Sequence, residues 1–385
     1  MALILVYFAL FLLISFASKV IINPGSRKLF QMLSCFILLF LFFGFRDITV
    51  LNDTPHYYGS YYTLSRYNGY VDSSIFTYRI ELKFEWGYQV LVHFLMKYVS
   101  KSPYTIILFS SFVFSLGNVL FFAKYTKDIA LSTFLFLVTG VLFDQFCLIR
   151  QTFALMLFYI AYGYLQKDKN TKYCLIILCA ALFHTSALIL LVLPLLKKLD
   201  IRIRNVIFLL IVALVVAILI MQIFSMLGML GNFYVKTVLK RSSPPIAAIL
   251  DGSLMFLLIG TCIFLHKKMG LKNINATNFW CCILGVAICV MTPFFLQFFR
   301  FNIYIWPIIY TVFMKYANSD FVFEEEGDYH PNRPLRRIIM MSTFFLLIVR
   351  IVIVLAFKNE WYHVIPYSFY DFSDRFHYYN MYYDQ

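Results

Sequence analysis

The stretch that decides the fold is residues 129–165, IALSTFLFLVTGVLFDQFCLIRQTFALMLFYIAYGYL. Most residues in it are apolar, and only Asp144 and Arg150 carry a charge. A membrane-spanning helix needs about 20 mostly apolar residues, so the stretch has room for two spans. It therefore predicts two membrane helices, 129–147 and 150–165, joined by a tight turn at Arg150 and Gln151.

The rest of the chain has the same character. Of its 385 residues, 62% are hydrophobic and 14% are charged, and the mean hydropathy is +0.78. Soluble domains carry about 25% charged residues, so a soluble globular protein, a disordered chain and a secreted disulfide scaffold are excluded. The other clear candidate spans are 2–22, 29–45, 104–123, 205–224, 250–266, 278–298, 301–316 and 337–357.

For two further apolar segments, 86–99 and 173–196, composition alone does not decide whether each crosses the membrane as a single helix. The positions of the basic loops decide between the possible topologies. Cytoplasmic loops carry an excess of Lys and Arg. If 86–99 lies at the surface and 173–196 forms two half-helices around His184, every short basic loop falls on one side. That side then holds 19 of the 33 basic residues. We therefore predict an all-α polytopic membrane protein with about 10 to 12 transmembrane segments and a re-entrant half-helix pair near His184.

This topology gives one integral membrane domain, residues 1–385. Its outer parts are the loops 46–103 and 225–249 and the C-terminal tail 358–385, and both chain ends lie outside. The formal net charge of +14 is then mainly a topology signal, so we expect no nucleic-acid partner. We also expect no metal and no cofactor, since the sequence shows no DxD, HExxH, Cys/His, Walker or GxGxxG pattern.

Three arginines interrupt apolar stretches: Arg150, Arg300 and Arg350. An ionisable group inside a membrane costs several kcal/mol unless it is paired or hydrated, and it is therefore a functional candidate. Arginine prefers planar acceptors such as phosphate. Two or three arginines on one face would clamp a lipid pyrophosphate. The alternative is an arginine that reaches the interface or, for Arg150, pairs with Asp144.

The outer segments contain candidate bases and many tyrosines. His184 sits where the chain must bend, and Asp53 and Glu85 stand among turn and aromatic residues; each is a candidate base for a sugar hydroxyl. Loop 46–85, Tyr88 and tail 358–385 together hold 15 of the 28 tyrosines. Flat amphipathic rings suit sugar faces. The alternative is a small ordered region that packs its own aromatic residues.

Five short motifs, in this order, resemble those of EpsG-like proteins. The first is Arg46 followed by Asn52-Asp53-Thr54 and by Tyr57 and Tyr58, with Asn52 where the family has glycine. The others are Glu85-Trp86-Gly87-Tyr88, Leu148-Ile149-Arg150-Gln151, Phe183-His184-Thr185-Ser186-Ala187-Leu188 and Ile365-Pro366-Tyr367.

The resemblance implies a Wzy-type polymerase of O-antigen, exopolysaccharide or capsule, with a polytopic glycosyltransferase fold of the GT-C-like type. Such an enzyme lies in the bacterial inner membrane and works on its periplasmic side. It joins oligosaccharide repeat units linked to undecaprenyl pyrophosphate. We predict that this glycosyl transfer is metal-independent, because the sequence shows no metal-binding pattern. Its implied partners are these lipid-linked glycans, membrane lipid, and a chain-length regulator and a flippase of the same pathway.

Site roles follow from the residues and the resemblance together. Asp53, Glu85 or His184 is the predicted base, and Arg46, Arg150 and Arg300 are the predicted pyrophosphate ligands. The predicted glycan contacts are Tyr57, Tyr58, Tyr88, Gln151 and Tyr367. Three other functions remain open: a ligase of the O-antigen-ligase type that uses the same lipid donor, a polytopic lipid or glycan transporter, and a membrane acyltransferase.

Overall fold

The computed structural model describes residues 2–66, 84–229, 246–268, 275–294, 296–317 and 333–372. Within these ranges the regular elements are all helices. The α-helices are α1 (Ala2–Ser18), α2 (Pro24–Gly44), α3 (Thr54–Arg66), α4 (Trp86–Tyr98), α5 (Thr105–Tyr125), α6 (Ile129–Val138), α7 (Val141–Cys147), α8 (Ile149–Gln166), α9 (Asn170–Ala181), α10 (Leu193–Leu196), α11 (Ile203–Met229), α12 (Ile246–Lys268), α13 (Ala276–Met291), α14 (Trp306–Ala317) and α15 (Arg333–Phe357). Three 3-10 helices cover Thr185–Val192, Leu296–Tyr304 and Asn359–Trp361.

Several of these helices are long and apolar enough to cross a membrane, which confirms the prediction of an all-α polytopic membrane protein. In the described part of the chain they are α2, α5, most of α11 and most of α15, and the bent pair α6 and α7 is a fifth candidate. Five shorter apolar helical segments accompany them. The count of about 10 to 12 spans stays a prediction, and so does the GT-C-like type.

The stretch 129–147 does not form the single helix that its composition predicts. α6 ends at Val138, and α7 begins at Val141 after a bend of 81°. Gly140 makes the bend possible, because its φ of 81° lies in the left-handed region that glycine tolerates. Arg350 satisfies a carbonyl at the break, since its Nη1 donates to Thr139 O at 3.0 Å. Arg350 thus stabilises the bend.

The chain also reverses at His184. α9 ends at Ala181, and a 3-10 helix carries the chain from Thr185 towards Lys197. Lys197 Nζ lies 2.7 Å from Asp168 Oδ1 and donates to Leu165 O at 2.8 Å. The residues before α9 and those after α10 therefore meet. The re-entrant half-helix pair near His184 stays a prediction.

The chain divides into two compact units, each described by itself. The first contains Met1–Gly163, Thr171–Leu188 and Phe344–Gln385, and in it α2 packs against α5 and α1 against α6. The second contains Tyr164–Asn170 and Ile189–Thr343, and in it α11 packs against α13 and α12 against α14. The single-domain expectation stays a prediction.

The start of loop 46–103 and the start of the tail pack together in the first unit. Asp47 N donates to Ser368 O at 2.9 Å, and Tyr370 N donates to Phe45 O at 2.9 Å. Outside the described residues lie 67–83 of this loop, 230–245 of loop 225–249 and the tail beyond 372. α4 has 13 residues and covers most of the ambiguous segment 86–99. It is about 20 Å long, shorter than a bilayer core.

Candidate active site

The central pair of the site joins two residues 65 positions apart. Arg150 is the second residue of α8, and Glu85 directly precedes α4. Arg150 Nη1 donates to Glu85 Oε2, and the two side chains are 23% and 17% exposed. The Phe84 ring lies under the guanidinium, with its centroid 4.8 Å from Arg150 Cζ. The pair is thus partly shielded from solvent but still open on one side.

A close approach between two backbone segments holds Glu85 in place. Gly87 N donates to Leu182 O at 2.8 Å, and a Cβ added at Gly87 would lie 2.8 Å from the same oxygen. Only glycine permits this contact without a shift. Gln89 Nε2 also donates to Phe84 O at 2.5 Å. The start of α4 is therefore fixed against the segment that leads into His184.

A hydrogen-bond chain connects α8 to His184. Gln151 Nε2 donates to Ser186 Oγ at 3.2 Å, and Ser186 Oγ lies 2.6 Å from His184 Nδ1. Ser186 N donates to the same ring nitrogen at 3.3 Å. Nδ1 is therefore an acceptor, and the neutral ring carries its hydrogen on Nε2. Arg150 and Gln151, neighbours in the first turn of α8, thus bind Glu85 and the His184 segment respectively.

Asp53 is linked to this site by contacts with Cys147 and Tyr57. Asp53 N donates to Cys147 Sγ at 3.3 Å, and Asp53 O accepts from Tyr57 N at 3.2 Å. Burial raises the pKa of Tyr57 to about 12; Arg150 lowers this pKa and Asp53 raises it. The charges of Arg150 and Asp53 therefore both act on the Tyr57 hydroxyl. The Asp53 carboxylate is half-buried, and in the described ranges it has no hydrogen-bond or ion-pair partner.

The aromatic residues near the pair are buried, which differs from the expected open sugar platform. Tyr57, Tyr58 and Tyr88 are 4%, 8% and 2% exposed. Tyr57 packs on Phe84 and Tyr88, with ring centroids 6.5 and 5.8 Å away. Tyr57, Phe84 and Tyr88 pack against one another and form a wall beside Arg150, whereas Tyr58 lies against Tyr370. The role of Tyr57, Tyr58 and Tyr88 as glycan contacts stays a prediction.

A family model of the EpsG family matches residues 28–369, which is most of the chain. The chain belongs to the EpsG family. All five motifs lie within the matched range, and membership suggests a polysaccharide polymerase. The comparison with curated proteins finds no significant match. The comparison with solved structures finds none either.

Arg46 of this EpsG family member is fully buried, which does not suit a direct pyrophosphate ligand. Its Nη1 donates to Phe43 O and to Ser111 Oγ, and its Nη2 donates to Phe146 O at 3.2 Å. The Nε atom donates to Thr54 Oγ1 at 3.3 Å. Because protein acceptors take all three nitrogens, the side chain ties α2, α3, α5 and α7 together. Its geometry is that of a positioning residue.

Arg300 and Tyr367 are the remaining predicted ligands. Arg300 is exposed in the 3-10 helix Leu296–Tyr304 of the second unit, and its role as a pyrophosphate ligand stays a prediction. Tyr367 is half-buried, stacks on Phe42 with centroids 4.3 Å apart, and donates its hydroxyl to Phe42 O. In this conformation it anchors the tail to α2.

Three residues of the site were not assigned a role from the sequence. Phe84 faces Arg150, Ser186 joins Gln151 to His184, and Cys147 accepts from Asp53 N. Ser186 is itself part of one recognised motif, and Phe84 and Cys147 directly precede two others, so position in or beside a motif was the available signal. Among the described residues, no group of three or more His, Cys, Asp or Glu side chains is placed to hold a metal ion.

Proposed function

We propose that this protein polymerises a polysaccharide by joining lipid-linked oligosaccharide repeat units. The growing chain on undecaprenyl pyrophosphate is the donor, and a hydroxyl of the next lipid-linked unit is the acceptor. The observation that carries the proposal is the Arg150–Glu85 pair at the start of α8, in a chain that belongs to the EpsG family.

Arg150 provides the charge that a departing pyrophosphate needs. The pair is partly open, and its buried Nε has no acceptor among the described residues. A guanidinium forms paired hydrogen bonds with phosphate oxygens. The N-terminus of α8 adds to this, because the first N–H groups of a helix and its dipole favour an anion. In this proposal Glu85 holds Arg150 ready until the diphosphate binds.

Of the three candidate bases, the geometry favours Asp53. Glu85 is engaged with Arg150, and the Nδ1 of His184 already accepts hydrogen bonds. Asp53 has a half-buried carboxylate with no partner in the described part of the chain. A general base must lie within hydrogen-bond reach of the proton that it takes. We assign His184 instead the role of a donor, through Nε2–H, to the substrate.

In the proposed step one bond to the donor glycan breaks and one glycosidic bond forms. The bond between the anomeric carbon of the donor glycan and the pyrophosphate oxygen breaks, and undecaprenyl pyrophosphate leaves with both electrons. The acceptor oxygen forms the new glycosidic bond, and its proton passes to Asp53. Arg150 stabilises the charge that develops on the leaving group. The guanidinium here supplies the positive charge, so the proposal expects transfer to continue when a chelator is present.

The side of the membrane that the site faces is also part of the proposal. The positive-inside pattern places the short basic loops in the cytoplasm and the Arg150 end on the periplasmic side of the bacterial inner membrane. A chain-length regulator and a flippase of the same pathway are then the expected protein partners. A cysteine introduced at Trp86, which is 50% exposed, should react with an impermeant thiol reagent added from outside.

The reaction is tested with purified protein and a synthetic undecaprenyl-pyrophosphate repeat unit. A polymerase yields a ladder of longer lipid-linked glycans and releases one undecaprenyl pyrophosphate for each bond formed, with or without EDTA. A ligase yields glycan on another acceptor and no ladder. A transporter moves the lipid without breaking a glycosidic bond. Either of the last two results overturns the proposal.

A further inference from the structure

A cavity of about 250 Å³ lies in the second unit, between α12, α13 and α14. None of its lining residues belongs to the candidate site around Arg150, and the proposed reaction assigns the cavity no role. Most of its wall is apolar and comes from Ile259, Ile263, Ile283, Ile309 and Val312, with Phe279, Cys262 and Cys282.

The polar residues of the wall are all at one end. Along α12 the lining runs from Ile259 to His266 and Lys267, and along α14 it runs from Ile309 to Lys315 and Tyr316, so both helices become polar towards their C-termini. α13 runs the other way and contributes Asn275 and Asn278 at its N-terminus. The cavity is therefore polar at one end and apolar along its length.

The polar end is positively charged. Lys267 and Lys315 both line it, and none of the described lining residues is acidic. The N-terminus of α13, where Asn275 Oδ1 accepts from Asn278 N at 3.0 Å, adds the positive end of a helix dipole. His266 Nδ1 lies 2.8 Å from the Tyr316 hydroxyl, which joins the C-terminal parts of α12 and α14 at this end. An anion is favoured here.

We propose that this cavity binds one anionic phospholipid. The phosphate lies between Lys267 and Lys315, and one acyl chain enters the apolar space between α12, α13 and α14. A basic end joined to an apolar wall matches the two parts of such a lipid, and basic pockets between membrane helices bind acidic lipid head groups. The predicted topology puts residues 267–272 and 315–337 on the inner side, facing the anionic leaflet.

The test uses the full chain in zwitterionic nanodiscs doped with dioleoyl phosphatidylglycerol or, as the neutral comparison, dioleoyl phosphatidylcholine. Bound lipid is counted by native mass spectrometry after the discs are released. We expect phosphatidylglycerol to be retained at least about tenfold over phosphatidylcholine. Glycerophosphoglycerol, which lacks acyl chains, should not displace it. Equal retention of the two lipids by the wild-type protein would overturn the proposal without any variant.

Two variants separate the head group from the chain. Lys267→Ala with Lys315→Ala should lose the preference for phosphatidylglycerol, whereas Lys167→Ala with Lys169→Ala, two exposed lysines outside the cavity, should keep it. Cys282→Phe fills the apolar wall and should reduce retention while the basic end stays intact. Unchanged retention in both cavity variants, or full displacement by glycerophosphoglycerol, contradicts a lipid site.

Discussion

The carboxylate of Glu85 and the guanidinium of Arg150 form an ion pair that joins the start of α4 to the start of α8. Each residue belongs to a different one of the five motifs that resemble the EpsG family, and 64 residues lie between them in sequence. An arginine in the first turn of a helix is unfavourable beside the positive end of the dipole. The Glu85 carboxylate offsets that cost, and a diphosphate can do so in its place.

The strength of this pair can be measured with a double-mutant cycle. Glu85→Gln and Arg150→Gln should each destabilise the protein, and together they should cost less than the sum. We expect a coupling energy of about 1–3 kcal/mol, because the pair is partly buried. Unfolding in detergent gives the four free energies. The exposed pair Asp200 and Arg202 is the control, with an expected coupling of about 0–1 kcal/mol. Strict additivity at Glu85 and Arg150 would contradict the pairing.

Gly87→Ala should weaken the contact between α4 and the His184 segment. Its Cβ would lie 2.8 Å from Leu182 O, and forcing the two backbones apart should cost about 1–3 kcal/mol. The matched control is Gly260→Ala, where nothing lies within 4 Å of the added Cβ. That change should be neutral or stabilise helix α12 by about 0.5–1 kcal/mol. Unfolding temperatures test the contrast, and equal shifts would count against the close approach.

Asp53→Asn should slow glycosyl transfer with little effect on the binding of the lipid-linked substrate. Removing a general base typically costs a factor of about 10²–10⁴ in rate. We therefore expect kcat to fall by that order while KM stays near its original value. Asp200→Asn, at an exposed position of the second unit, is the control. A variant with full activity would move the role of base to Glu85 or His184.

Tyr57 makes a pH dependence of stability testable. Burial raises its pKa in the folded protein to about 12, from an ordinary value of 10.0. The folded state thus keeps a proton that the unfolded state loses first. Ionisation of Tyr57 therefore leaves the free energy of unfolding unchanged below pH 10 and lowers it as pH rises from 10 to 12. Between pH 10 and 12, Tyr57→Phe should reduce the pH slope of the unfolding free energy by the amount that corresponds to about one proton. Unfolding measured at each pH gives this slope, and an unchanged slope would contradict the burial of the hydroxyl.

The membrane character was predictable, because composition and loop charge act over long stretches of chain. The pairing of Arg150 with Glu85 was not, since each residue alone fits several partners, and Asp144 is nearer in sequence. The bend at Gly140 was missed for a related reason. Gly140 lies between apolar residues on both sides, so the sequence does not show that its φ is in the left-handed region. The Thr139 carbonyl at the break accepts from Arg350, which is distant in sequence.

The tyrosines show how far a pattern in sequence can be interpreted. Their concentration in loop 46–85 and the tail led us to predict glycan contacts, and the structure shows that the two segments also pack together, with the Tyr58 and Tyr370 hydroxyls 3.3 Å apart. The concentration did not reveal which rings face solvent. That depends on Phe84, Tyr88 and other neighbours brought close only by the fold, so burial of Tyr57 and Tyr58 was not readable from spacing.

The central claim is tested most directly by the length of the surface polysaccharide in cells that carry Arg150→Ala as their only copy. Glycans are separated by gel electrophoresis and compared with cells that carry Arg66→Ala, an exposed arginine of the same unit. We predict single repeat units without long chains for Arg150→Ala, and normal long chains for Arg66→Ala, at equal membrane levels of both proteins. Long polymer of normal length in the Arg150→Ala cells would contradict the account.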